Sequence, residues 1–257
     1  MVRQRSPTVA VVQARMTSHR LPGKVMRLVM GKPVIGYLIE RLKRARNIDR
    51  IVVAVTDQQD DDPLHDYITS IGVDTFRGSE SDVLGRLYEA ARNAGATSVV
   101  RITGDCILLE PTYCDLLVER YHSEGVDYAC LSPKFAEGLD CEVMRFSVLE
   151  QIHTLAKLPS EREHVTLYLH NHKSSFTTFM LDQDSDDGRY RIALDEPEDF
   201  RVIAQIIERL WPIFGSSLDF LQIKKFLDEN AVVMQVNAHI VRNEGLQISL
   251  RKEQLLD

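Results

Sequence analysis

VAVVQARMTSHRLPGK, residues Val9 to Lys24, passes from a buried strand into a basic, flexible loop, and the rest of the chain is organised around that passage. Val9 to Val12 is a continuous apolar run rich in β-branched residues, as a central parallel strand covered on both faces requires. After Val12 the character inverts. Arg15, His19, Arg20 and Lys24 place three fixed positive charges and one titratable ring within ten residues, and Pro22-Gly23 bends the backbone just before the lysine. A strand ending in a cationic, glycine-containing loop is the usual place for an open α/β sheet to hold a phosphate-bearing ligand. A loop that is merely solvated seldom follows a core strand with so many anion donors.

Beyond the loop, Pro33 opens a helix over residues 33–45 in which Val34, Tyr37, Leu38, Leu42 and Ala45 follow helical spacing, with basic residues in its last turn. Ile51 to Val55, Val73 to Phe76 and Val99 to Ile102 read as three further strands. Between them Asp61 or Asp62 is placed to cap a helix with Pro63 in its first turn, and Asp82 to cap an amphipathic helix ending near Gly95. This alternation predicts βαβ units, and so an α/β fold with a mostly parallel central sheet flanked by helices. The second half is less regular. It reads as a helix over 112–123, strands over 128–131 and 141–146, helices over 147–157 and 161–171, a strand over 176–181, and helices over 197–211 and 218–229. The expected organisation is a single domain over 1–257, with residues 127–190 as a small protruding acceptor or dimerisation subdomain and 218–257 as a C-terminal extension.

A chain of 257 residues with 44% hydrophobic content can bury a substantial core. Its apolar runs are far shorter than the ~20 residues that cross a bilayer, and MVRQRSPT has no apolar signal core, so a cytoplasmic protein is expected. Cys106, Cys114, Cys130 and Cys141 lack C-x-x-C spacing and read as reduced, mostly core thiols. The net charge of −7 argues against a nucleic-acid partner, but it hides an asymmetry. Residues 1–50 carry 12 Lys and Arg against 2 Asp and Glu, so the remainder is strongly acidic. A basic front facing an acidic remainder suits a metal-chelated nucleoside triphosphate, which needs both signs around it.

Asp105 and Asp195 each follow a predicted strand, where active-site groups of α/β sheets gather. Mg²⁺ takes one or two carboxylates and fills its other positions with water and substrate phosphates, so this pair meets its demand. The competing reading of Asp195 is an N-cap for the helix at Pro197. Lys24 offers phosphate a point charge and Arg15 a two-pronged donor face, and Arg20 is a secondary contact. In SEREHVT, Ser160 and Glu163 have capping-box spacing, which leaves Arg162 and His164 to hold an anionic acceptor. Asp184 and Asp186 form a D-x-D string inside an Asp/Ser/Gly cluster of the kind that makes turns. The spacing of His164, His170 and His172 does not put all three on one helical face, as zinc would need.

QARMTSHRLPGK resembles the signature loop of the CMP-sugar synthetases, the cytidylyltransferases acting on 3-deoxy-manno-octulosonic acid (KDO) and sialic-acid-like sugars. Within them the chain is most similar to the spore-coat polysaccharide biosynthesis protein F type. FRGSESDVLGR (76–86), VVRITGDC (99–106), GLDCEV (138–143), SEREHVT (160–166), ALDEPEDF (193–200) and NAHIVRNEG (237–245) recur in order. Ile107 departs from the pattern, which more often has proline there. The resemblance implies a Rossmann-like, GT-A-like nucleotidyltransferase fold, and triphosphate contacts from the basic loop. It places metal ligands at Asp105 and Asp195, and base recognition around Gln13, Ala14, Arg77, Gly78 and Ser79. The GLDCEV block adds Asp140 and Glu142 to the acceptor-binding candidates. The expected activity is Mg²⁺-dependent transfer of CMP from CTP to an acidic sugar or sugar acid with release of pyrophosphate, by a homodimer without membrane attachment. Its rivals are a nucleotide-sugar-dependent glycosyltransferase of similar fold and a non-catalytic nucleotide-binding protein.

Overall fold

The first strand, β1 (Thr8–Gln13), is buried along all but its last residue, because both faces of the sheet are covered. Val9 and Val11 join one apolar cluster while Ala10 and Val12 join another, as the two-residue period of a strand dictates. The structure, a computed structural model, describes residues 7–242 and 244–254.

In chain order, β1 is followed by a hairpin of β2 (Leu28–Val29) and β3 (Lys32–Pro33), then α1 (Val34–Leu42), β4 (Arg50–Thr56), α2 (Asp62–Ser70), β5 (Asp74–Gly78), α3 (Val83–Asn93) and β6 (Ser98–Thr103). The second half continues with α4 (Pro111–Glu124), β7 (Tyr128–Leu131), β8 (Glu142–Arg145), α5 (Phe146–Leu155), α6 (Pro159–Glu163), α7 (Leu167–Asn171) and β9 (Thr178–Leu181). Four helices close the described chain: α8 (Pro197–Phe214), α9 (Phe220–Glu229), α10 (Ala231–Gln235) and α11 (Glu244–Gln254).

Seven strands form one sheet in the order β5-β4-β1-β6-β8-β7-β9. β5, β4, β1 and β6 are mutually parallel, whereas β8 runs antiparallel to both of its neighbours. Because it runs backwards, β8 brings its first residue, Glu142, to the rung of Arg101 near the C-terminal end of β6. The sheet thus gathers both its parallel strand ends and the start of β8 on one edge. The segment 127–190, expected as a small protruding subdomain, supplies β7, β8 and β9 to this same sheet. A third apolar cluster, built on α8 and α9 and including Ile107 and Leu194, packs beneath the segments that carry Asp105 and Asp195.

Several local expectations are corrected. The helix expected over 161–171 is two short ones, broken at His164, whose φ of −100° and ψ of 58° leave the helical region. Ser160 does not cap: Pro159 already occupies the first turn, and Glu161 accepts from the backbone N–H groups of Lys157 and Leu158. Ser160 instead bonds Glu253 through its hydroxyl and amide, and Glu163 pairs with Arg15. Asp82 does cap α3, accepting from Gly85 N–H at 2.8 Å.

Asp61, fully buried at the start of α2, makes no capping bond of its own. Its carboxylate accepts from Met16 N–H and Thr56 N–H, both at 2.7 Å, and so ties the basic loop to the end of β4. Asp61→Ala leaves both amides without that acceptor and is expected to lower the unfolding free energy by about 1–3 kcal/mol. A urea melt superimposable on that of the parent would show that the loop is anchored elsewhere.

Candidate active site

The basic loop leaves β1 at Gln13 and immediately meets the turn after β6. Gly104 N–H donates to the Gln13 carbonyl at 2.8 Å, and a Cβ at Gly104 would lie 2.9 Å from Ala14 Cβ. Only glycine lets the Asp105 turn lie this close to the loop. The loop then folds back on itself, the Met16 carbonyl accepting from Ser18 and Gly23, while Leu21 is buried in the third cluster. Gly23 adopts a left-handed φ of 67°, which aims the chain back toward the sheet edge at Lys24.

Lys24 Nζ stands 2.8 Å from Asp195 Oδ1 and 3.7 Å from Asp105 Oδ2. The strand expected before Asp195 does not form, Arg191 making only an isolated bridge to Glu137. Asp105, in the turn after β6, and Asp195, 90 positions on and just before α8, nevertheless converge on one cation. Their backbones are also joined, Leu194 N–H donating to the Asp105 carbonyl at 3.0 Å. Burial disfavours a charged Lys24, but Asp105 and Asp195 outweigh it and the ammonium holds its proton more tightly than an ordinary lysine. Burial likewise opposes ionisation of Asp195, and Lys24, Arg20 and Arg191 override it, holding the carboxyl below its usual range. Arg20 reaches Asp195 at 3.1 Å, with Glu196 and Glu244 close by. Thr103 hydroxyl donates to Asp105 Oδ1 and fixes its rotation.

The support beneath Asp195 escaped the sequence reading. Asp199, fully buried, accepts from the backbone N–H groups of Asp195 and Glu196 at 2.9 Å each; the N-cap of α8 is Glu196, not Asp195, with Asp199 at the third helical position. Arg191 clasps both oxygens of Asp199 at 2.8 Å, reaches Glu137 at 2.7 Å, and stands 3.5 Å from Asp195. Asn237 donates to Asp199 Oδ1 at 2.8 Å. Thus ALDEPEDF and NAHIVRNEG, distant in sequence, build one scaffold that holds the Asp195 backbone while its carboxylate faces Lys24 and Arg20.

The remaining candidates divide. Ala14 and Arg15 continue the loop at the sheet edge, where Arg15 pairs with Glu163 at 3.1 Å. Gln13 accepts from Arg101 Nε at 2.9 Å, and Arg101 pairs with Glu142, which also accepts from Tyr128 and Thr166. Burial opposes the charge of Glu142, yet Arg101 and Tyr128 hold its carboxyl below the usual range. Asp140 pairs with Arg242 at 3.0 Å and accepts from Gly138 N–H. His164 lies against Ser249, and burial lowers its pKa, which favours the neutral ring. The Arg162 guanidinium is occupied by both oxygens of Asp82 and by the His153 carbonyl. Arg77 turns to the Thr56 and Gln58 carbonyls and to Asp62, the Gly78 carbonyl accepts from Asp57, and Ser79 accepts from Asp82 N–H. The D-x-D string closes a turn in which Asp186 accepts from Gly188 N–H.

Parallel strand ends carrying a basic, glycine-containing loop opposite two converging aspartates define an α/β nucleotidyltransferase. The chain belongs to the cytidylyltransferase family, whose profile matches residues 9–244. It is 29% identical over 206 residues to the spore coat polysaccharide biosynthesis protein SpsF of Bacillus subtilis, a match covering 77% of this chain and 85% of that one. Among solved structures it superimposes on a cytidylyltransferase from Leptospira borgpetersenii with a TM-score of 0.83 and 29% identity, covering 89% of this chain and 96% of that one. CMP-2-keto-3-deoxy-manno-octonic acid synthetase complexed with CTP shares the fold at a TM-score of 0.64 and 18% identity, over 79% of this chain and 99% of that one. The family resemblance and the mostly parallel α/β sheet read from the sequence agree with these matches. Among the described residues no helix is long and apolar enough to cross a membrane.

Proposed function

We propose that this chain transfers CMP from CTP to a sugar or sugar-acid acceptor, with release of pyrophosphate, as a cytoplasmic homodimeric enzyme of surface polysaccharide or glycoconjugate biosynthesis. The observation that carries the reading is the convergence of Lys24, Asp105 and Asp195 where the basic loop meets the sheet edge. An acceptor oxygen attacks the α-phosphorus, forming one P–O bond as the bond to the bridging oxygen breaks, and that oxygen leaves with its electron pair on pyrophosphate. The chain's part is positioning and charge stabilisation. Lys24, Arg15 and Arg20 supply donors to the phosphoryl oxygens from the basic loop, Gln13 and Ala14 face the base, and Glu142, held by Arg101, faces the acceptor.

The donor set fits Mg²⁺. Asp105 and Asp195 already face one cation, and two carboxylates leave the remaining positions to water and phosphate. When bound there, Mg²⁺ neutralises charge on the triphosphate and the leaving group. A glycosyltransferase using a nucleotide-sugar is disfavoured by the concentration of cations in residues 15–24, which suits a triphosphate.

With Mg²⁺ present, CTP is expected to bind more tightly than ATP, GTP or UTP in calorimetric titrations. Equal affinities would remove the cytidylyl assignment, and binding only to a nucleoside-diphosphate sugar would favour the glycosyltransferase.

A further inference from the structure

Arg86, near the start of α3, is only 3% exposed and lies outside the groups used above. Its Nη1 donates to the Ser79 carbonyl and, at 3.4 Å, to that of Glu80, which pins the loop after β5 from beneath. Its Nε is the single buried side-chain nitrogen or oxygen among the described residues without a hydrogen-bond partner. Nη2 makes no hydrogen bond to the described residues either. A buried donor of this kind calls for an explanation, since native interiors rarely leave one unmatched.

The guanidinium plane supplies it. With Nη1 taken by the loop carbonyls, the free N–H groups are those of Nε and Nη2, which project side by side from one edge as a two-donor fork. The pinned loop borders the basic loop, because Thr17 hydroxyl donates to the Glu80 carboxylate. Burial, and then the nearby like charge of Arg15, lower the Arg86 pKa, while Asp61, Glu163 and Glu80 act the other way. Arg77, the arginine expected to read the base, is bound elsewhere, to Thr56, Gln58 and Asp62.

We propose that Arg86 reads the base of the nucleotide, its Nε–H and Nη2–H donating to the adjacent N3 and O2 acceptors of cytosine. Uracil carries an N–H at the N3 position, so there a donor would meet a donor. Rejection of the wrong base follows from leaving the fork unpaired. The inference rests on the chain using CTP, as proposed above.

The test is calorimetric titration of the parent, Arg86→Lys and Arg86→Gln with CTP, UTP, 3-deaza-CTP and tripolyphosphate in Mg²⁺. The parent is expected to bind CTP at least roughly tenfold more tightly than UTP or 3-deaza-CTP. In Arg86→Lys, which keeps the charge and the aliphatic stem, that gap closes while tripolyphosphate binds as in the parent. An unchanged ratio of CTP to 3-deaza-CTP would reduce Arg86 to a support for the loop. A parallel loss of tripolyphosphate would make it a phosphate grip, and either result overturns the proposal. Should neither variant fold, the parent alone decides, since equal binding of CTP and 3-deaza-CTP means that N3 has no donor. A parent with no preference for CTP over ATP, GTP and UTP would instead count against the cytidylyl assignment.

Discussion

Lys24→Ala is expected to lower kcat by roughly 10²- to 10³-fold, the loss seen when one pre-positioned donor to a charged transition state is removed. The fold should survive it. Lys24 takes its position from Gly23 and the buried Val25, both of which the substitution leaves alone. Asp195 would still face Arg20 at 3.1 Å and Arg191 at 3.5 Å, so the excised ammonium does not strand it without a cation. Single-turnover kinetics alongside a melting curve separate the two effects. Near-normal turnover with a normal melt would make Lys24 a counter-ion of the aspartates and nothing more.

Asp105→Asn and Asp195→Asn should each cost on the order of 10²-fold or more in kcat, because each removes an anionic ligand while keeping the size of the side chain. If both carboxylates serve one Mg²⁺, the double variant should lose little beyond the worse single one, as groups acting as a unit are strongly non-additive. Asparagine caps helices about as well as aspartate, so a pure cap at Asp195 would make that substitution nearly silent. In the structure Glu196, not Asp195, stands at the N-cap of α8. Rates across a Mg²⁺ titration decide the matter: parent-like metal dependence in Asp195→Asn would leave Asp105 as the sole supported ligand.

What could be read from the sequence was local. The β1 run, the inversion to a basic loop, and Asp82 three residues before Gly85 are signals within a few positions, and each has its counterpart in the structure. The hairpin Leu28–Pro33 was missed because two-residue strands have no period to detect. Arg162 has the charge of an acceptor ligand, but its partner Asp82 lies 80 positions away, beyond the reach of any spacing argument. The scaffold of Asp199, Arg191, Glu137 and Asn237 is similarly non-local. Arg77 and Arg86 share one sequence block, and composition cannot tell which guanidinium turns to the loop and which to the neighbouring carbonyls.

The ammonium of Lys24 between two carboxylates also bears on the order in which ligands arrive. A lone divalent ion entering the cleft must compete with a cation already seated 2.8 Å from Asp195, which disfavours its entry unaccompanied. A nucleotide arriving with its ion changes the exchange. On the reading proposed above, Lys24 would exchange its carboxylate contact for a phosphoryl oxygen, one charge-assisted contact replacing another. On the same reading, the side chain of Lys24 partly offsets the charge of the resting cleft, and joint entry of metal and triphosphate is expected over entry of the metal first.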